Sequence, residues 1–276
     1  SYRFHVNSVE KDNIWTKVEQ TLRDSPPFHF QIEFPEVFWR ENPGFDVIMG
    51  NPPWEKAHVE EHEFWSRYIP GFKGLKQAER EILYPELHAE RPDLVQEFEN
   101  EVRFNKSLRN GLLHGNFKGM GTGHPDLYKA FCWRFLHVCR NGGRIGIVLP
   151  RAVFSSLGTS EFRKELLTTS SIEYLSTMTN TRGWVFTDVE PRYTVALAVF
   201  YKGKNGQSNI SMNGPFSSLA AYNSEKDHFI DFPLELLENA TDDLIFPLLP
   251  TIEQLNASSA IRKILENPRL DSRELK

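Results

Sequence analysis

The residues best suited to chemistry stand directly after one apolar run. Residues 45–49 have the length and composition of a buried strand, and an Asn-Pro-Pro-Trp turn follows at 51–54. Two consecutive prolines remove two backbone donors and fix two φ angles, so the carbonyls there remain free to accept from a ligand. Asn51 adds a carboxamide oxygen, and Trp54 adds a flat surface for stacking. These residue types predict a site that captures a flat group bearing an amine.

The elements that must position this turn alternate between helix and strand, which is typical of an α/β sheet with helices on its faces. Such sheets bind ligands at the carboxyl ends of their strands, where the turn lies. Hydrophobic periodicity and breaker residues predict the following elements: helices over 11–23, from Asp126 to about 141–143, and over 159–167, and strands over 28–38, 144–150, 171–178 and 193–201.

Two regions depart from this alternation. Residues 55–123 are polar and mostly helical, with predicted helices over 60–68, 76–84 and 85–113, and they form an insertion after the turn. Basic side chains gather towards its end, at Arg103, Lys106, Arg109 and Lys118. This cluster either contacts phosphate or is a solvated helix face.

Beyond residue 202 the chain becomes rich in Gly, Asn and Ser, which predicts loops with short strands over 203–225. An apolar segment at 244–249 and a helix over 252–265 follow. We therefore predict one domain over 1–202, with the insertion at about 55–123. Residues 203–276 are either a connecting segment or the start of a further region.

Bulk composition sets broad limits on function. A hydrophobic content of 39% with 25% charged residues is ordinary for a globular protein, and no apolar run approaches the roughly 18 residues of a membrane span. The net charge of −5 does not favour a freestanding nucleic-acid binder, although a local basic face remains possible. Cys132 and Cys139, seven apart, predict two buried, reduced thiols on one helix face, which suits the cytoplasm. Glu33 and Glu36 have no neighbouring metal partner, so we expect no metal site.

The turn and the elements around it resemble the adenine-N6 DNA methyltransferases of restriction-modification and phage-defence systems, above all their gamma class. The catalytic motif of that class is Asn/Asp/Ser-Pro-Pro-aromatic, matched here by Asn51, Pro52, Pro53 and Trp54. Further segments resemble the family in order and spacing, at 34–38, 126–131, 142–150, 185–186 and 194–200.

The resemblance implies a Rossmann-like methyltransferase sheet, of which residues 1–202 would form the catalytic half, with a target-recognition region beginning beyond it. It implies that S-adenosylmethionine methylates the exocyclic amine of an adenine flipped out of double-stranded DNA. Asn51 and Pro52 would accept hydrogen bonds from that amine, and Trp54 and Phe186 would sandwich the base. Phe131 would contact the cofactor, and other restriction-modification or defence subunits are implied partners.

One departure from the family concerns the cofactor. Gamma-class members place a Gly-rich cofactor strand ahead of the catalytic turn, but the 50 residues before Asn51 contain no Gly-x-Gly after a strand. We therefore expect this chain to be a fragment that alone binds S-adenosylmethionine weakly or not at all and is inactive. Two other functions stay open. Protein-glutamine and some RNA methyltransferases share the turn, and a non-catalytic DNA-recognition or scaffold subunit could keep it as a relic.

Overall fold

The computed structural model describes residues 28–115, 117–120, 125–187, 189–204, 206–240 and 242–248, together with Thr16. Within these residues six strands form one sheet: β1 Phe45–Gly50, β2 Cys139–Pro150, β3 Ser170–Thr179, β4 Thr194–Lys202, β5 Asn209–Phe216 and β6 Ile230–Pro233. Their order is β1-β2-β4-β3-β5-β6. The pairs β1–β2 and β3–β5 are parallel, and the other three are antiparallel. The predicted α/β class is confirmed.

The described helices surround this sheet or belong to the insertion. They are Phe30–Glu33, Pro35–Phe38, Glu61–Ser66, Gln77–Glu90, Pro92–His114, Leu127–Val138, Ser160–Thr169, Leu219–Glu225 and Leu234–Ala240, with short 3-10 turns at Phe72–Gly74, Arg151–Phe154, Leu157–Thr159 and Thr181–Gly183. None of the helices in the described part of the chain combines the length and apolarity that a membrane crossing requires. The predicted helices over 11–23 and 252–265 lie outside the described residues.

The register of β1 on β2 decides where the site lies. Gly50, the last residue of β1, pairs with Ile147 near the end of β2. Both parallel strands therefore end at the same sheet edge, and the turns that follow them meet there. On one face of β2, Ile145, Ile147 and Leu149 are buried in the main core with the helix Leu127–Val138. Burial of each such side chain stabilises the fold by about 1.5–3 kcal/mol.

The strand predicted over 28–38 is wrong, because this segment forms two short helices, Phe30–Glu33 and Pro35–Phe38. Phe30, Phe34 and Phe38 fit both an alternating pattern and a four-residue helical spacing. The helical spacing is the one used: all three rings contact Phe45 of β1, with centroids 6.1, 5.3 and 5.4 Å away. Pro35 starts the second helix, where its missing N–H is not needed.

The insertion is mostly helical, as predicted, but its helix boundary at residue 85 is wrong. Pro85 lies inside the helix Gln77–Glu90, and the break comes at Arg91 before Pro92. Leu83, Tyr84 and Leu87 pack on a separate core built on Phe64, Trp65, Phe72 and Leu94. Backbone contacts also join the two ends of the insertion. The Leu127 N–H donates to Glu55 O at 3.0 Å, and Lys56 and Asp126 form an isolated antiparallel β-bridge.

The two cysteines are free and buried, but they do not share a helix. Cys132 lies in the helix Leu127–Val138, whereas Cys139 begins β2. The apolar spacing that predicts a single helix continues past its true end at Val138, because β2 begins at the next residue without a loop.

Burial raises the pKa of both thiols, so the reactive thiolate is scarce at neutral pH. We expect a chromogenic disulfide reagent at pH 8 to label neither cysteine in the folded chain and both in guanidinium. Rapid labelling of two thiols per native chain would contradict this burial.

Beyond residue 202 the sheet continues. β5 pairs with β3, and β6 with β5, so residues 209–233 extend the same sheet. Residues 203–225 thus hold one full strand and the helix Leu219–Glu225, rather than only short strands. Part of the apolar segment at 244–249 is described: Phe246 is buried, and its N–H donates to Phe154 O at 2.8 Å.

Candidate active site

The Asn-Pro-Pro-Trp turn leaves β1 at the carboxyl edge of the sheet. Asn51 is exposed there, and Pro52 beside it is buried. A Cβ on Gly50 would stand 3.2 Å from the ring of Phe135, so glycine allows the turn to approach the helix Leu127–Val138 closely. The turn is therefore held by the helix below it while the Asn51 carboxamide faces outward.

A cleft of about 840 Å³ opens at this edge. It brings together five of the six residues predicted for the site, since Asn51, Pro52, Pro53, Trp54 and Phe186 all line it. Phe131, predicted to contact the cofactor, is not among the lining residues. Its ring is 37% exposed on the helix Leu127–Val138, 5.9 Å from the ring of Phe135.

Trp54 and Phe186 are neighbours, but they do not form a parallel sandwich. Their ring centroids lie 5.8 Å apart and their planes cross at 85°, an edge-to-face contact. A base between two parallel rings needs about 7 Å, two van der Waals separations. One ring must therefore turn or shift before a base can enter. The Trp54 indole N–H is buried without a hydrogen-bond partner, which leaves a donor in the wall of the cleft.

Sequence reasoning missed the polar lining of this cleft. Tyr128, at the start of the helix Leu127–Val138, is buried in it. Burial, reinforced by the carboxylate of Asp126, raises the pKa of Tyr128, so its hydroxyl keeps its proton at neutral pH. Asp126 also pairs with the buried Lys129, 3.5 Å away. In the sequence the segment 126–131 resembles the start of a helix, and helix periodicity alone does not show that its first turn lines the cleft.

Acidic side chains outnumber basic ones in the lining of the cleft. One lysine, Lys56, accompanies four carboxylates, from Glu55, Glu63, Asp126 and Glu190. Such a lining attracts cationic or amine-bearing groups and repels phosphate. An uncharged base with an exocyclic amine therefore suits the cleft better than a free nucleotide.

The predicted basic cluster is divided. Lys118 pairs with Glu165 at 3.3 Å. Arg103, Lys106 and Arg109 are exposed on the second half of the helix Pro92–His114, which carries no carboxylate after Glu101. Glu101 and Asn105 of the same helix line a neighbouring cleft of about 640 Å³ together with Trp54. The helix therefore approaches the turn through Glu101 and Asn105, whereas Arg103 lines a different pocket with Gln96 and Glu99.

In the described ranges no three His, Cys, Asp or Glu side chains are grouped so as to hold a metal ion. Glu33 and Glu36 are both exposed. The described residues do not form a complete site for S-adenosylmethionine either, because Phe131 lies outside the cleft lining and no glycine-rich turn contributes to it.

Residues 2–85 match the family model described as Eco57I restriction-modification methylase. This region contains the Asn-Pro-Pro-Trp turn, and the match relates it to restriction-modification methylases. It covers less than a third of the 276 residues. A comparison with curated proteins found no match.

Several solved structures are similar to parts of the chain. A putative class I S-adenosylmethionine-dependent methyltransferase from Listeria monocytogenes is 14% identical with a TM-score of 0.34, over 44% of this chain and 38% of that one. A modification subunit of a putative type I restriction enzyme from Vibrio vulnificus YJ016 is 14% identical with a TM-score of 0.38, over 70% and 34%. The Type ISP restriction-modification enzyme LlaGI, in complex with a DNA substrate mimic, is 14% identical with a TM-score of 0.39, over 77% and 19%. The chain spans less than half of each of these structures.

Proposed function

We propose that this chain supplies the methyl-acceptor site of a restriction-modification enzyme that transfers a methyl group from S-adenosylmethionine to the exocyclic amine of adenine in DNA. The observation that carries the proposal is the Asn-Pro-Pro-Trp turn at the carboxyl edge of β1, facing Phe186 across one cleft. The family match over residues 2–85 supports the restriction-modification context. The base identity, the cofactor and the DNA partner are parts of the proposal.

The chemistry proposed for these residues is positioning and electrostatic stabilisation. An adenine amine has two N–H donors, and the turn offers two acceptors, the side-chain oxygen of Asn51 and the backbone carbonyl of Pro52. Two acceptors on one side of the amine favour a nitrogen whose lone pair is no longer shared with the ring. That lone pair would form the new N–C bond as the methyl–sulfur bond of the donor breaks, and the nitrogen would then release one of its two protons to solvent. Preorganised dipoles of this kind require no strong base.

The base would reach these acceptors only when flipped from the duplex, because the cleft is walled by the sheet edge and the insertion. Stacking on Trp54 or Phe186 would contribute about 1–3 kcal/mol per ring. Tyr128 keeps its hydroxyl proton and shares it with the Asp126 carboxylate, so its hydroxyl oxygen would be the atom left to accept a hydrogen bond from the base.

The test is product analysis with the complete encoded protein. It is incubated with radiolabelled S-adenosylmethionine and, separately, unmethylated plasmid DNA, total RNA and glutamine-containing peptides. The DNA is then digested to nucleosides. Label in N6-methyldeoxyadenosine is the expected result. Label in a methylated cytosine, in RNA or in glutamine would replace adenine-specific DNA methylation with one of those activities, and no label at all would favour a scaffold.

The basic end of the helix Pro92–His114 yields a prediction about DNA binding. If Arg103, Lys106 and Arg109 contact phosphates beside the cleft, replacing all three by alanine weakens DNA binding. The slope of log K against log salt concentration then becomes shallower by about 0.9 for each lost phosphate contact. The measurement is fluorescence anisotropy with a duplex at several salt concentrations. The control is the double variant Lys164→Ala/Lys226→Ala, two exposed lysines on other elements. An unchanged slope in the triple variant would identify the cluster as a solvated helix face.

A further inference from the structure

Asn180 is a completely buried polar residue at the end of β3, outside every motif identified in the sequence. It begins the loop 180–193, which carries four residues of the cleft lining: Phe186, Val189, Glu190 and Tyr193. A buried carboxamide is costly unless its donors and acceptors are paired. The hydrogen bonds of the Asn180 carboxamide show which part of the loop it holds in place.

The carboxamide spans the loop with four hydrogen bonds. Its nitrogen donates to the carbonyl oxygens of Phe186 and Val189, both at 2.9 Å. Its oxygen accepts from the backbone N–H groups of Val185 and Phe186, at 3.1 and 3.0 Å. Both donors and both lone pairs of the side chain are thereby used. Phe186 is held at both its N–H and its carbonyl.

The backbone of the same residue closes the loop. The Asn180 N–H donates to Tyr193 O at 2.9 Å, and the Gly183 N–H donates to Asn180 O at 2.8 Å. Inside the loop, the indole of Trp184 donates to Thr179 O at 2.7 Å. Among the described residues of the loop, the Asn180 carboxamide thus makes four of the bonds that fix the backbone around Phe186.

We propose that Asn180 is a positioning residue of the target-base site, which holds Phe186 opposite Trp54. The inference rests on the proposed function for its meaning, but its geometry stands on contacts within this chain. No other natural side chain reproduces the pairing. Aspartate keeps the two acceptor bonds and loses both donor bonds, and alanine loses all four and leaves buried backbone groups unpaired.

The first test uses the 276-residue chain labelled with 5-fluorotryptophan. Of the six tryptophan resonances, that of Trp54 is assigned with Trp54→Phe. Phe186→Ala shows how this resonance moves when the edge-to-face contact at 5.8 Å is lost. Asn180→Ala and Asn180→Asp are expected to move it in the same direction. Asn213→Ala is the matched control, because Asn213 is also buried but lies on β5 and donates to Lys226 O, away from the cleft.

Each outcome decides the question. An unmoved Trp54 resonance in a folded Asn180 variant would overturn the proposal. So would a failure of both Asn180 variants to fold, because Asn180 would then be a requirement of the fold rather than of the site. A shift in both Asn180 variants, with none in Asn213→Ala, supports it.

The second test uses the complete encoded protein and plasmid DNA as methyl acceptor. Asn180→Asp is expected to lower kcat at least tenfold while KM for DNA changes less than threefold, since Phe186 is needed after the base has left the duplex. If Asn180→Asp only destabilised the fold, it would lower the fraction of active protein, and the fluorine resonance of Trp54 in the folded fraction would not shift. If the unmodified protein transfers no methyl group, the proposed function fails, and the fluorine result still decides whether Asn180 positions Phe186.

Discussion

Replacing Asn51 by alanine is expected to lower methyl transfer by the complete encoded protein at least 100-fold in kcat. Loss of one preorganised hydrogen-bond partner at a reacting group typically costs about 10²–10³ in rate, equivalent to about 2.7–4 kcal/mol. The carboxamide is exposed at the sheet edge and lines the cleft, so its removal leaves the core intact. DNA affinity should therefore stay within about threefold, because phosphate contacts dominate it.

The measurement pairs initial rates of label incorporation with anisotropy binding. Asn42→Ala is the matched control, since Asn42 is an exposed asparagine whose side chain donates to Asn141 O at 2.9 Å outside the cleft. Asn51→Asp retains an acceptor oxygen and should keep more activity than the alanine variant. Full methylation by Asn51→Ala would make the turn a structural relic and support a scaffold function.

How much of this site could be predicted depends on the kind of signal each residue leaves in the sequence. The Asn-Pro-Pro-Trp turn combines a strand end, two prolines and an aromatic residue, and these local features place it at the sheet edge. The helix and strands at 126–201 were predicted to within a few residues, except that β2 already begins at Cys139, because their apolar periodicity is strong. Periodicity and turn residues therefore predicted correctly those positions that the local backbone structure alone determines.

The errors share a different physical origin. The aromatic segment at 28–38 satisfies two periodicities at once, and only contact with Phe45 decides between them. Pro85 stays inside a helix because neighbouring side chains of that helix pack on the insertion core, which outweighs its local cost. Both are cases in which tertiary contacts override local preference.

Asn180 and Tyr128 mark a third case. An isolated asparagine or tyrosine leaves no pattern in the sequence, and the contacts of both side chains arise only in the folded chain. The edge-to-face geometry of Trp54 and Phe186 was also beyond sequence reasoning, because it depends on where the loop 180–193 is held. The identities of the residues at the site were therefore easier to predict than the contacts that position them.

Replacing Arg163 by methionine is expected to lower the free energy of unfolding of this chain by about 3–5 kcal/mol, the cost of leaving several buried acceptors unpaired. Arg163 is completely buried in the helix Ser160–Thr169, and its guanidinium donates to backbone carbonyl oxygens and to the Thr159 hydroxyl. Its guanidinium donates to Val153 O at 2.8 Å, to Ser156 O at 2.9 Å and, through two nitrogens, to Asp243 O at 2.9 and 2.7 Å. Burial lowers the pKa of Arg163 to about 10, still well above neutral pH, so the charge persists.

These bonds join three parts of the chain, and the expected loss follows from that. They tie the 3-10 turn after β2, which carries Ala152 of the cleft lining, to the helix and to the segment 242–248. Urea unfolding followed by tryptophan fluorescence gives the free energy, with Lys164→Met as the control, because Lys164 is the exposed neighbour on the same helix. A change below 1 kcal/mol in Arg163→Met would show that the carbonyl oxygens find other partners. Release of the 242–248 segment should appear as new protease cleavage there, before the sheet unfolds, because both bonds from Arg163 to Asp243 O would be lost.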